Sequence, residues 1–280
     1  MPKGTRGHRL RNWLIVGIAV VVVLAAGGPF VYIHFLEGPA PAKLTLPGVS
    51  TTTTGGTVAA STASTVGAVQ LNGTWNVGKG SVVGYRVGEV LIGQDSTAVG
   101  RTEEVWGSLT VEAGSVTKGA FMVNMASVTS DQSMRNAQFD GRIMDVSSFP
   151  TAQFVLSRPI ALGATRGTGE VKHYSAEGRL TMHGVTKPIN FKVSIELGSD
   201  SAYVLAEVPI VFANWDISNP SVGGFVTTQN SGTLEVLLHL VRGPGNPVST
   251  GSSSGSSAGF NGGPVTVPST TVPPLTVPRG

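Results

Sequence analysis

Few side chains in this chain are of a type and spacing that could do chemistry. The histidines are His8, His34, His173, His183 and His239, and none has the His-x-x-x-His or glutamate-paired spacing of a metal site. The acidic residues are scattered. Glu103 with Glu104, and Asp140 with Asp145, come nearest to clusters, and solvated surface is the default for both. Gly-x-Ser-x-Gly occurs at Gly251–Gly255 and Gly255–Gly259. Both copies lie in a Gly/Ser tail, without the buried strand and helix that a nucleophile elbow needs. Gly78-Lys79-Gly80-Ser81-Val82-Val83-Gly84 misses Gly-x-Gly-x-x-Gly by one residue, and no βαβ unit follows, so it reads as a tight turn entering a strand. There is no cysteine, which excludes disulfides, thiolate ligands, a cysteine nucleophile and a lipid-modified N-terminal cysteine. No catalytic residue, metal or cofactor is expected.

The elements around these residues alternate with period two. Ile189, Phe191, Val193, Ile195 and Leu197 alternate with Asn190, Lys192, Ser194 and Glu196, a half-buried strand. Leu234, Val236, Leu238 and Leu240 repeat the pattern more weakly, as do Phe121, Val123 and Met125. Phe154–Leu156, Tyr174–Met182 and Tyr203–Phe212 also read as strands. Turn residues separate them at Ala113-Gly114-Ser115, Gly163–Gly169 and Gly198-Ser199-Asp200. One longer helix is expected, about Ser130–Asp145, capped by Ser130 with Asp131 in its first turn. A short turn near Gly88–Ile92 is also expected. Many strands with few helices give an all-β sandwich or barrel, and alternation alone does not choose between them.

The ends differ from this middle. Residues 1–12 carry Lys3, Arg6, Arg9 and Arg11, and 13–36 run without a formal charge. At ~1.5 Å per residue such a run crosses a ~30 Å hydrocarbon layer. The positive-inside rule then puts the N-terminus in the cytoplasm and the rest outside, a single-pass cell-membrane protein. A cleavable signal peptide is the rival, with Ala25-Ala26-Gly27-Gly28 as its small residues, but apolar sequence continues through Phe30-Val31-Tyr32-Ile33. Residues 37–70 read as a Ser/Thr/Pro/Gly-rich linker with an rms span of ~30 Å. Residues 71–242 are the folded domain, with 13 Lys and Arg against 15 Asp and Glu, a balance that argues against nucleic-acid binding. Residues 243–280 are a Gly/Ser and Thr-Val-Pro repeat tail, a spacer or a wall-threading or glycosylated segment.

The most informative stretch is Gly178-Arg179-Leu180-Thr181-Met182-His183-Gly184-Val185-Thr186-Lys187-Pro188. It resembles the L-T-hydrophobic-H-G-V-T-K-P signature of the YceI family. Further segments follow the family's order: Thr74–Val77 with Gly80–Val87, Gly100–Leu109, Val128–Asn136 and Phe149–Phe154. Asn136 stands where Asp is usual, which leaves a salt bridge or cap there open. The anchored, Thr/Pro-flanked layout resembles the family's actinobacterial branch. The resemblance implies an antiparallel eight-stranded lipocalin-like barrel with a short helical insertion, preceded here by the transmembrane helix. It also implies a cavity for an isoprenoid-type lipid or isoprenoid quinone.

The expected function is therefore a membrane-anchored extracytoplasmic binding protein that buries a long lipid. Each buried CH₂ contributes ~0.8 kcal/mol, so ~20 carbons give roughly 16 kcal/mol gross against an association cost of ~4–15 kcal/mol. The expected lining is Tyr85, Val87, Trp106, Leu109, Phe121, Val123, Met125, Phe139, Phe154, Leu180, Met182, Phe191, Val193, Phe212, Trp215 and Phe225, with Arg135 and His183 at the polar end. Ordinary core is the competing reading for each apolar residue, and a structural bond to a neighbouring turn is the default for His183. The alternative function is a non-catalytic envelope module with a filled barrel. A homodimeric state is left open.

Overall fold

The computed structural model describes residues 40–48, 71–91, 93–163, 169–198, 200–223 and 226–242. The basic N-terminus, the apolar run 13–36, most of the expected linker and the C-terminal tail lie outside the described residues, as does Phe225.

The described residues form thirteen strands: β1 (Gly73–Val77), β2 (Val82–Leu91), β3 (Gln94–Thr102), β4 (Val105–Glu112), β5 (Ser115–Asn124), β6 (Thr129–Ser130), β7 (Thr151–Leu156), β8 (Ile160–Ala161), β9 (Val171–Met182), β10 (Val185–Leu197), β11 (Ser201–Val211), β12 (Val226–Thr228) and β13 (Ser231–Val241). Several are halves of one broken strand. β1 and β2 both run antiparallel to β13, with Gly78–Ser81 between them. β3 and β4 face β2 and β1, and β5 with β6 faces β4 and β3. β7 and β8 both pair β5, and β12 and β13 both pair β2. With β9, β10 and β11 this makes eight antiparallel positions in a closed ring. Closure rests on Asn76 opposite Val241 and Val77 opposite Leu240, continued by five rungs between β2 and β13. A closed ring leaves no sheet edge exposed.

The alternation read in the sequence sets the two faces of the wall. On β10, Ile189, Phe191, Val193 and Ile195 face the interior, while Lys192 and Glu196 lie on the other face. The turn before it is His183-Gly184, with φ of 50° and 74°, between paired Met182 and Val185. This two-residue hairpin takes φ > 0 at both positions, and a Cβ on Gly184 would also run into the Phe149 ring. His183 therefore sits in the turn between β9 and β10. Gly107 bends β4 at φ 140°, where a Cβ would collide with the Ala120 carbonyl oxygen.

The helical insertion is shorter than expected. Helix α1 covers Ser133–Gln138 and passes into a π-helical turn, Phe139–Ile143. Ser130 does not cap it: the residue at the cap position is Gln132, and Ser130 lies two residues earlier, paired with Gly100 as part of β6. Instead Asn136 reaches back, and its Oδ1 accepts from the Ser130 backbone N–H and from the Ser130 hydroxyl, both at 2.8 Å. A neutral amide oxygen serves there, and the ion pair of this turn is Asp131 with Arg135. The turn expected near Gly88–Ile92 is also displaced, since β2 continues through Gly88 to Leu91.

One end of the barrel is plugged. Trp75 is 2% exposed among Leu71, Val77, Leu162 and Leu240, and its indole N–H donates to the Leu71 carbonyl at 2.8 Å. The Arg242 guanidinium lies 4.7 Å over its ring. A second apolar cluster, around Phe139, Met144, Leu180, Phe212 and Trp215, belongs to the other half.

Residues 40–48, read from composition as linker, lie on the outside of the wall. Arg86 Nη2 donates to the Pro41 carbonyl and Arg101 Nη2 to that of Ala42. Lys43 pairs with Glu207 at 3.0 Å, Leu46 is 3% exposed, and the Gly48 N–H donates to Glu196. Beneath this strap the Glu235 carboxylate, 1% exposed, is held by Arg86 Nε at 2.7 Å and Arg101 Nη2 at 2.8 Å. Burial alone would raise the Glu235 carboxyl, but the two guanidiniums outweigh it and hold it below its ordinary value.

Candidate functional site

The interior is not filled. A cavity of about 680 Å³ runs inside the barrel, walled almost wholly by apolar side chains. That is within the ~300–1,000 Å³ range of small-molecule sites. Among its lining residues the exposed ones are Met134, Gln138, Arg142 and Val222. The cavity therefore reaches the surface between the helical insertion and residues 218–223. Arg142 spans that opening, donating from Nε to Gln138 and from Nη2 to the Pro220 carbonyl at 2.8 Å.

Most of the expected lining residues meet at this cavity. Tyr85 and Val87 of β2, Leu109 of β4, Phe121 and Val123 of β5, and Met125 just after it all line the wall. So do Phe154 of β7, Leu180 and Met182 of β9, Phe191 and Val193 of β10, and Phe212 after β11. Phe139 and Arg135 come from the helical insertion. The π-helical turn drops Phe139 onto Tyr85, with ring centroids 5.2 Å apart and planes 12° from parallel. Phe154 meets Phe191 edge-on at 5.4 Å.

Three expected residues stand elsewhere. Trp106 is on the outer face of β4, one residue after the inward Val105 and on the opposite parity to Leu109. Trp215 is buried at 2% in the core beside the cavity, in the 3₁₀ turn Phe212–Trp215. His183 is held at the turn, with Nδ1 3.0 Å from the Trp215 carbonyl and its ring edge-on to Phe149 at 4.8 Å. It bonds a neighbouring turn and does not line the cavity.

The polar groups at the open end are largely committed to one another. Arg135 Nη2 lies 3.0 Å from Glu89 and Nη1 2.5 Å from Asp131. Burial opposes the Arg135 charge, but the two carboxylates outweigh it and raise its pKa above the ordinary guanidinium value. Burial pushes the Tyr85 phenol up to about 12, with the Arg135 charge working in the opposite direction. The phenol therefore stays protonated and neutral across physiological pH.

Sequence reasoning passed over Ile189, Ile195, Leu234 and Val236, which also line the cavity. Their signal was present: Ile189 and Ile195 share parity with Phe191 and Val193 on β10, and Leu234 and Val236 belong to the alternation of β13. Glu89 and Arg142 carried no such signal, because their placement depends on contacts far along the chain.

Among the described residues no group of three or more His, Asp or Glu could hold a metal ion. The donors and geometry present can bury an apolar chain and position a polar head at one end. The family model of the YceI-like domain matches residues 57–240. This chain belongs to the YceI-like family. Solved structures similar to this YceI-like chain include a polyisoprenoid binding domain from Saccharophagus degradans implicated in plant cell wall breakdown. It is 13% identical, with a TM-score of 0.48 over 60% of this chain and 97% of that one. BcnA of Burkholderia cenocepacia is 18% identical, with a TM-score of 0.42 over 57% and 96%. A Campylobacter jejuni YceI protein is 14% identical, with a TM-score of 0.37 over 50% and 83%. No curated protein matches the sequence.

Proposed function

We propose that this YceI-like protein holds one long lipid of isoprenoid type in its barrel and is kept at the cell membrane by residues 13–36, with the barrel on the extracytoplasmic side. The observation that carries the reading is the apolar cavity of about 680 Å³, plugged at the Trp75 end and open at the other. Its walls offer water almost no hydrogen bonds, and a water in a site needs two to four. An apolar chain loses nothing there and contributes ~0.8 kcal/mol per buried CH₂. Membership of the YceI-like family supports a lipid over other apolar ligands. The mechanism is burial, with no bond made or broken. A filled-barrel envelope module is the weaker reading, because an unfilled interior is destabilising unless something occupies it.

The test is native mass spectrometry of the full-length chain from an isoprenoid-producing host, followed by organic extraction. A stoichiometric adduct identified as a polyprenyl lipid supports the reading. A bare mass that persists after incubation with isoprenoid quinones and polyprenyl phosphates overturns it.

A further inference from the structure

The strap and the cavity opening together say which way the barrel faces. The strap begins beside Arg86 and Arg101, in the middle of the wall. Lys43 reaches Glu207, which is paired with Glu235. Gly48 reaches Glu196, which is paired with Tyr203 and through it with His239. His239 is four residues farther along β13 toward the plugged end. The strap thus descends toward Trp75, and Ala40 stands at its upper end, on the side of the opening.

Three residues, Glu37 to Pro39, separate the uncharged run Trp13–Leu36 from Ala40. From Leu36 to Pro41 an extended chain spans at most ~17 Å. From Arg86 to Leu91, at the rim of the opening, β2 rises by about the same ~17 Å. The two lengths match. The plugged end lies beyond Gly48, at the other end of the strap from Ala40.

The surface repeats the asymmetry. Four large apolar side chains are exposed among the described residues. Met134, at 78%, and Val222, at 48%, flank the opening, and Val211, at 47%, ends β11 on the same side. The fourth, Val155, is on the side wall. Met134 and Val222 are thus apolar side chains that both line the opening and face outward.

We infer that the strap holds the opening of the barrel against the surface of the bilayer in which residues 13–36 sit, with Met134 and Val222 seated among the lipid headgroups. A lipid then passes between leaflet and cavity without crossing water. The inference rests on the anchor and cavity readings above. It replaces the flexible ~30 Å tether implied by composition with a short, fixed stand-off.

The chain contains no cysteine, so single cysteines can be labelled cleanly. Full-length M134C, V222C and, at the plugged end, D200C would each carry an environment-sensitive fluorophore. They would be reconstituted in phosphatidylcholine vesicles with and without nitroxide-headgroup lipid. The expected result is at least twofold stronger quenching at positions 134 and 222 than at 200. A chain lengthened by ten Gly/Ser residues between Gly38 and Pro39 should lose most of that difference. Equal quenching at all three positions, or stronger quenching at 200, overturns the inference. Failure of the full-length chain to partition with the vesicles overturns it together with the anchor reading. Rim quenching in a protein that binds no lipid in the mass-spectrometric test leaves the orientation standing and sinks only the carrier reading.

Discussion

Val236 provides the sharpest test of the cavity as a binding site. It faces the interior from the middle of β13, between the cavity-lining Ala206 and Val83 to which it is paired, and it is only partly buried because it borders open space. Val236→Phe adds four side-chain carbons to that space. If they displace four ligand carbons, the loss is ~3 kcal/mol at ~0.8 kcal/mol per carbon. That is a roughly 100-fold rise in Kd. Stability should not fall, since the ring occupies a void where overpacking a filled core would cost ~1–3 kcal/mol. The assay is equilibrium transfer of a polyprenyl quinone from donor vesicles to the full-length chain, with Tm measured alongside. A shorter-tailed quinone should recover most of the lost affinity, because it leaves the ring its space. A Kd within threefold of wild type at equal or higher Tm would show that the ligand does not occupy this cavity and would refute the reasoning. A large fall in Tm would show that the interior at Val236 is already packed.

Gly100→Ala places a methyl into the Tyr85 ring and forces it off Phe139, so thermal denaturation should show a loss of ~1–3 kcal/mol; the loss should shrink when Tyr85→Ala is already present. Glu235→Ala strands Arg86 and Arg101 and should destabilise by ~3–5 kcal/mol in denaturant titration, with Glu235→Gln milder because it keeps acceptor and donor atoms in place. Because the folded state lowers the Glu235 pKa, its contribution is fully present above the unfolded glutamate value and is lost as pH falls toward the folded one. The acid limb of a Tm–pH profile should therefore flatten in Glu235→Gln. Tyr85 titrates in the opposite sense: with its pKa raised to about 12, its contribution holds below pH ~10 and fades above it. Ultraviolet titration should show Tyr85 ionising well above pH 10, with Tyr174 also displaced upward by its burial and by Glu170.

The strands and the identity of most cavity residues were legible because both depend on local alternation. Ile189 through Leu197 announce their two faces without reference to any partner. Parity holds through Gly107 on β4, with Val105 and Leu109 both inward, so Trp106 and Leu109 could not both line the cavity; the bulk of the Trp106 ring outweighed the alternation in the expected set. Trp215 failed for another reason, since a 3₁₀ turn has no two-residue alternation. His183 sits where the extended pattern gives way to a left-handed turn, a change that depends on backbone geometry more than on side-chain polarity. The strap was the least legible. Ala40–Gly48 has the composition of a linker, and its partners Arg86, Arg101, Glu196 and Glu207 are distant in sequence. Nothing in a pass along the chain reveals that an outward-facing glutamate, Glu235, is sealed between two arginines.

The ring closes on its last strand. β13 fills a slot between β11 on one side and β1 with β2 on the other. Until Ser231–Val241 has been made, both neighbours are unpaired edges, and the long-range pairings that finish the barrel cannot form. The nascent chain thus passes through an open sheet whose two borders are templates for any extended segment, including the same segment of another copy. Closure is therefore the last set of pairings to become possible in chain order. The speed of that event relative to encounter between chains decides the yield of closed barrels, and a chain that stops short of β13 would remain a receptor for that strand supplied as a separate peptide.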